Sequence, residues 1–178
     1  MGASAWEYFT PYQADHEKAF HDLRQEVFES GNYFLYTPTL PSSEEEYLEQ
    51  AYNMGLILTE QDEEWQREQY RKEKERYSKP KPETIEELIE WGAEDGTHTI
   101  IDMASFTDDP DCTDFFTAIP LSQAQLLELF ETTKPTHQVI LEKRSAILRL
   151  RRRSQATYVI VYEDDDPTEI FFTGFSGD

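Results

Sequence analysis

A histidine and a carboxylate four positions apart are the first residues that could do chemistry. Thr97-His98-Thr99-Ile100-Ile101-Asp102-Met103 is rich in β-branched residues and reads as a strand. Side chains alternate in direction along a strand, so His98 and Asp102 share a face with Ile100 between them. Such a pair suits general acid–base work. No Ser or Cys in a recognisable nucleophile setting accompanies it. His98 and Asp102 are the best enzymatic pair on offer, with Asp108 or Asp111 as accessory carboxylates, but a structural or surface use of the pair is the stronger expectation.

Carboxylates cluster in Asp108-Asp109-Pro110-Asp111-Cys112-Thr113-Asp114. A calcium loop starting at Asp109 needs Gly at its sixth position and Glu at its twelfth, and these are Asp114 and Pro120. The stretch is therefore expected to be a solvated acidic loop. Asp109, Asp111 and Asp114 are the residues a cation would have to use, and no metal or cofactor is expected. Cys112 lies among these acids, a setting that works against a reactive thiolate.

His16-Glu17-Lys18-Ala19-Phe20-His21 approaches a zinc protease signature, but its histidines are five apart instead of four. Helical geometry then swings them about 140° apart, so the expected reading is two exposed helix histidines. Lys143, Arg144, Arg149, Arg151, Arg152 and Arg153 form the one concentrated basic stretch. A phosphate or nucleic-acid contact is one reading. Internal pairing, with bases complementing the end of a helix, is the favoured one. Nucleotide-binding glycine loops, nucleophile elbows and CxxC pairs are absent. Gly174-Phe175-Ser176-Gly177 is expected to be an exposed tail.

The elements that must position these residues come from a chain of 178 residues, the usual size of one domain. Eleven Phe, ten Tyr and three Trp provide enough bulky apolar surface for a core without disulfides or metal. The formal net charge of −21 repels phosphate backbones and anionic lipid, and favours encounter with basic partners. Residues 82–140 alone carry 13 acids and one base, so the acidity is concentrated. Cys112 is the only cysteine, which excludes an intramolecular disulfide and fits a reducing compartment. The first nine residues lack Lys and Arg, and no apolar run approaches the ~20 residues of a spanning helix. A cytoplasmic location without membrane contact is expected.

Residues 5–12 suggest a first short strand. Asp15 as cap, the apolar spacing of Phe20, Leu23, Val27 and Phe28, and the stop at Gly31 predict a helix over 15–30. Capping pairs Ser43/Glu46, Thr84/Glu87 and Ser122/Gln125 predict helices over 43–53, 84–94 and 122–132, and Thr136 opens another to 153. Residues 60–77 read as a charged, exposed helix followed by a Pro/Lys linker to 82. Leu56 to Leu58 reads as a short strand or a linker, and residues 104–120 as a loop. Residues 157–162 and 169–175, joined by Asp164-Asp165-Asp166-Pro167, form the clearest hairpin. The fold class expected is a single α+β domain over 1–178, with a mostly antiparallel sheet of about four strands packed against several helices.

Trp6-Glu7-Tyr8-Phe9 with Pro11-Tyr12-Gln13, Leu23-Arg24-Gln25-Glu26 with Phe28, residues 96–102, Thr132-Thr133-Lys134-Pro135-Thr136 and residues 169–174 span most of the chain. In these stretches the chain resembles a set of uncharacterised bacterial proteins. None of them is a mechanistic motif, so the resemblance implies no functional residue, and residues 60–81 look like an insertion in the pattern.

The function expected from the sequence is non-enzymatic: an acidic binding protein meeting a basic protein surface, as small immunity or inhibitor proteins do. A small enzyme or ligand-binding domain using His98 and Asp102 is one alternative. A nucleic-acid mimic, its carboxylates spaced like phosphates, is another. Direct nucleic-acid binding is not expected.

Overall fold

Helices form where a cap and a stop bracket an apolar stripe. The computed structural model describes residues 4–78, 80–91 and 96–176. In α1 (His16–Ser30), the Asp15 carboxylate accepts from Lys18 N at 2.9 Å, and the Gly31 N–H returns to Phe28 O at 3.1 Å. Helix α2 is Glu44–Asn53, capped by Ser43 on Glu46 N at 3.2 Å. Helices α3 (Glu60–Ser78) and α4 (Ile85–Trp91) follow. Part of the helix expected over 84–94 lies outside the described residues. Helix α5 is Gln123–Phe130, opened by a reciprocal Ser122/Gln125 capping box. Helix α6 is His137–Leu148 and stops five residues short of its expected end.

The chain divides into two compact units, one of Tyr36–Glu83 and one of Met1–Leu35 with Thr84–Asp178. The first unit is α2 and α3. Arg67 reaches Glu44 at 2.7 Å and Glu63 at 2.6 Å, Arg71 reaches Glu44 at 3.0 Å, and Tyr52 donates to Glu63 at 2.5 Å. The bonds from Arg71 and Arg67 hold the Glu44 carboxyl below the usual carboxylate range. Ile57 packs with Leu48 and Ala51, and residues 56–58 form a linker, not a strand. With so few apolar residues, polar pairing and this small cluster join the two helices.

The other unit is built on a five-stranded sheet in the order β1-β5-β4-β3-β2. Its strands are β1 (Ala5–Pro11), β2 (Ser105–Phe106), β3 (Thr117–Pro120), β4 (Gln155–Glu163) and β5 (Asp166–Phe175). The expected C-terminal hairpin is β4–β5, and β1 adds to it antiparallel with Tyr8 opposite Phe172. Asp164 and Asp165 make the turn with φ of 48° and 71°, the left-handed pair a two-residue hairpin needs. A register shift at Val161/Tyr162 accommodates the start of β5, where Pro167 lacks a donor.

The sheet corrects two expectations. It has five strands instead of about four, and it is mixed, because β3 pairs parallel with β4 and β2 parallel with β3. Helices α5 and α6 make the crossover from β3 to β4, which a parallel neighbour requires. Both extra strands lie inside the expected loop at 104–120. The strand expected at 97–103 is instead a turn and one 3₁₀ turn, Ile100–Asp102. His98 has φ of 58° and Gly96 has φ of 68°, which breaks an extended course. The coil still buries Ile100, Ile101 and Met103 completely.

Helical layers cover both faces of the sheet. Trp6, Tyr158, Ile170 and Phe172 pack on one face with Phe20, Leu23, Leu88 and Ile101. Phe171, Val159 and Val161 pack on the other with Phe130, Ile140 and Ile147. The alternation of Ile170, Phe171 and Phe172 feeds both layers from one strand. Residues 174–176 are not a free tail: Gly174 and Phe175 end β5, and Ser176 is buried, its N–H on Ser4 O at 2.9 Å; Gly177 lies outside the described residues.

A Cβ on Gly174 would stand 2.7 Å from Trp6 Cζ2 and 2.8 Å from both Ala156 Cβ and Gln155 O. Gly174→Ala is expected to cost about 1–3 kcal/mol by overpacking. A lowered urea midpoint is the measurement; an unchanged one means that both the Trp6 ring and the β4 backbone at Gln155 and Ala156 give way.

Candidate functional site

A cavity of about 330 Å³ opens beside β4, between the start of α1, the loop before β3 and the start of α5. Tyr158 stands in its wall, 4% exposed, and donates its phenol hydrogen to Asp108 Oδ1 at 2.5 Å. Burial, reinforced by the carboxylate, pushes the Tyr158 phenol far above the usual tyrosine range, so it stays a donor at any physiological pH. The Asp108 side chain is otherwise 76% exposed, and its Oδ1 lies 3.6 Å from His16 Nδ1. The His16 ring lies 5.9 Å from the ring of Tyr12 and 5.8 Å from that of Tyr158, and its Nε2 is buried without a hydrogen-bond partner.

The other end of the cavity carries the opposite charge. Lys134 Nζ lies 5.5 Å from the Tyr162 ring centre and 3.0 Å from Asp165 Oδ1 at the hairpin tip. Pro120, Leu121, Leu126 and Ile160 line the stretch between. Among the described residues the lining holds no Ser or Cys, and its one aliphatic hydroxyl is that of Thr133, the neighbour of Lys134. Two charged ends and an apolar middle can orient a ligand; they provide no activated nucleophile.

His98 and Asp102 lie elsewhere. The Asp102 carboxylate accepts from Thr97 N at 2.7 Å and His98 N at 3.2 Å, closing the turn that precedes it. His98 stacks on Phe34 with ring centres 4.4 Å apart and planes 5° from parallel. Two backbone N–H groups thus occupy the carboxylate, and an aromatic face holds the imidazole. The two helix histidines also separate: His16 joins the cavity, and His21 stacks edge-on against Phe20 with ring centres 5.2 Å apart.

The acidic loop is ordered by its own backbone. Asp109 Oδ1 accepts from Asp111 N at 3.0 Å, Asp109 N donates to Thr107 Oγ1 at 3.1 Å, and Gln155 holds Thr113 O at 3.0 Å. Among the described residues no group of three or more His, Cys, Asp or Glu side chains is placed to hold a metal ion. At the loop's end Phe115 and Phe116 are 63% and 46% exposed. Phe116 has φ of 55°, a left-handed backbone that costs an aromatic residue about 1–3 kcal/mol. It is held there by its N–H on Ser154 O at 2.6 Å and by its carbonyl, which accepts from Ala104 N and Ser105 N.

Of the basic stretch, Arg151 turns inward, whereas Lys143, Arg144, Arg149, Arg152 and Arg153 are exposed. Arg144 pairs with Glu7 at 3.1 Å. Arg151 lies past the end of α6, and its Nη2 donates to Pro120 O and Thr157 Oγ1, each at 3.1 Å. Arg144 and Arg151 pair within the chain through side-chain bonds, and no base stands in the last turn of α6.

The sequence flags His16 and Asp108 without a reason to join them, and it carries no signal for Tyr158 or Lys134. No family model, curated protein or solved structure matches the chain.

Proposed function

We propose that this chain is a non-enzymatic, acidic binding protein that docks a protein partner with a basic surface, in the manner of immunity or inhibitor proteins. The observation that carries the reading is the sorting of charge by depth. Among the described residues no Asp or Glu is buried, whereas Arg24 is, with its guanidinium on Ile101 O at 3.2 Å. Arg151 likewise turns its guanidinium onto backbone carbonyls. Among the described residues Arg24 is the one Lys or Arg that is buried and no carboxylate is, so the surface carries the full acidity of the −21 chain. Such a surface speeds encounter with a cationic partner and makes association sensitive to salt.

The loop of residues 107–116 supplies the docking face. Phe115 and Phe116 are exposed aromatic anchors, and Asp109, Asp111 and Asp114 of the same loop give them an acidic rim. Aromatic anchors inside a polar rim are the usual layout of an interface hot spot. The strained backbone at Phe116 fits the same reading, because such strain gathers at ligand-contacting sites and the ring it carries is exposed.

The test is capture from a lysate of the producing cells at low and high salt, with wild type beside a Phe115→Ser, Phe116→Gly double variant. Gly suits the left-handed backbone at 116, so this variant keeps its fold. A basic protein retained by wild type, released by salt and lost at least about 30-fold by the variant is the expected result. Recovery of no basic protein, or equal recovery by both proteins, overturns the proposal. Displacement of the captured partner by DNA would identify the acidic face as a mimic of phosphate.

A further inference from the structure

We infer that the cavity beside β4 binds a short zwitterionic peptide of about three residues, with its ammonium on Asp108 and its carboxylate on Lys134. This goes beyond the docking of a basic protein and stands without it. Two fixed charges of opposite sign mark the ends. Asp108 is anchored by the buried Tyr158 phenol through Oδ1, and among the described residues no hydrogen bond uses its Oδ2. A carboxylate held by one oxygen and open at the other is a prepared acceptor for an ammonium. Among the described residues Lys134 has one ion-pair partner, Asp165, whose side chain is 83% exposed, and it lies over the Tyr162 ring. Surface ion pairs of this kind contribute little, so a ligand carboxylate can replace Asp165 at small cost.

Length and polarity narrow the ligand. Asp108 sits at Tyr158 and Lys134 at Tyr162, four residues along β4, a spacing of at most about 13 Å at the usual strand rise, since the register shift at Val161/Tyr162 shortens the course. A hydrogen bond of about 3 Å at each end leaves roughly 7 Å for the peptide, so a tripeptide, about 10 Å when fully extended, fits in a bent form. Leu121, Leu126 and Ile160 line the middle, which suits an apolar central side chain. The volume of about 330 Å³ is near the small end of the roughly 300–1,000 Å³ range of ligand pockets.

The experiment is a calorimetric titration of the full chain with three probes: Ala-Leu-Ala, its N-acetyl form and its C-terminal amide. Saturable binding of the free tripeptide, weakened about tenfold by either block, is expected, because each block removes one charge-assisted hydrogen bond. Asp108→Asn should bind the free and acetylated peptides alike, and Lys134→Met should bind the free and amidated peptides alike. The end-blocking comparison uses the wild-type protein, so it holds even if a variant folds poorly. No saturable binding of Ala-Leu-Ala at millimolar concentration, or affinity indifferent to both blocks, overturns the inference. The Phe115→Ser, Phe116→Gly variant should bind the peptide as wild type does, because neither ring lines the cavity although both share a loop with Asp108, so its loss of the basic partner and its retention of the peptide are read independently.

Discussion

Replacing Phe172 with Ala is expected to lower the unfolding free energy by about 3–5 kcal/mol. Phe172 is fully buried in β5, with its ring centre 6.1 Å from Phe20 and 5.8 Å from Tyr158. It therefore couples α1 to the middle of the sheet. Truncation removes the ring's transfer energy and leaves a cavity that β-sheet neighbours cannot close. For a chain of this length the melting temperature should fall by roughly 6–20 °C. Phe115→Ala is the control, since that ring is 63% exposed and its loss should change stability by less than about 0.5 kcal/mol. Chemical denaturation of the two variants side by side is the measurement. Equal midpoints would mean that the core is not built as described.

The second large effect belongs to Asp102. Asp102→Ala should cost about 2–4 kcal/mol, because it leaves the N–H groups of Thr97 and His98 without their acceptor. Thr97 is 1% exposed, so water cannot replace the carboxylate there. The loss extends further than one turn. The charge of Asp102, like that of Glu86, favours the protonated Arg24 guanidinium against the burial that lowers its pKa. Arg24 in turn donates to Ile101 O, so turn, helix and buried cation share one carboxylate. Asp102→Asn keeps an acceptor oxygen and loses the charge, and should fall between Ala and wild type. Hydrogen exchange at the Thr97 and His98 amides reads the local opening directly, and unchanged protection in Asp102→Ala would overturn the assignment.

The difference between a catalytic pair and a structural carboxylate at 97–102 illustrates what sequence patterns leave open. Thr, His and Ile in a row have the composition of a strand, and local preference was the only guide. The structure instead coils the segment so that Ile100, Ile101 and Met103 all enter the same core layer, which a strand that sends adjacent side chains to opposite faces cannot do. Burial of three apolar side chains outweighs a β-preference that spans only about 1 kcal/mol per residue. Strands β2 and β3 escaped notice for the opposite reason: two and four residues are too few to show a period.

What the sequence determined by itself is whatever is encoded within a few residues. Asp15 and Gly31 bracket α1, Ser122 and Gln125 open α5, and Asp164 and Asp165 turn the hairpin, because caps and tight turns are satisfied by neighbours along the chain. The tertiary structure alone decided the parallel pairing of β3 with β4, the inward turn of Arg151 and the meeting of His16, Asp108 and Tyr158. These residues come from distant parts of the chain, and no local spacing records them. They are brought together because two helical layers must bury both faces of one sheet, and the cavity is the space left where those layers end.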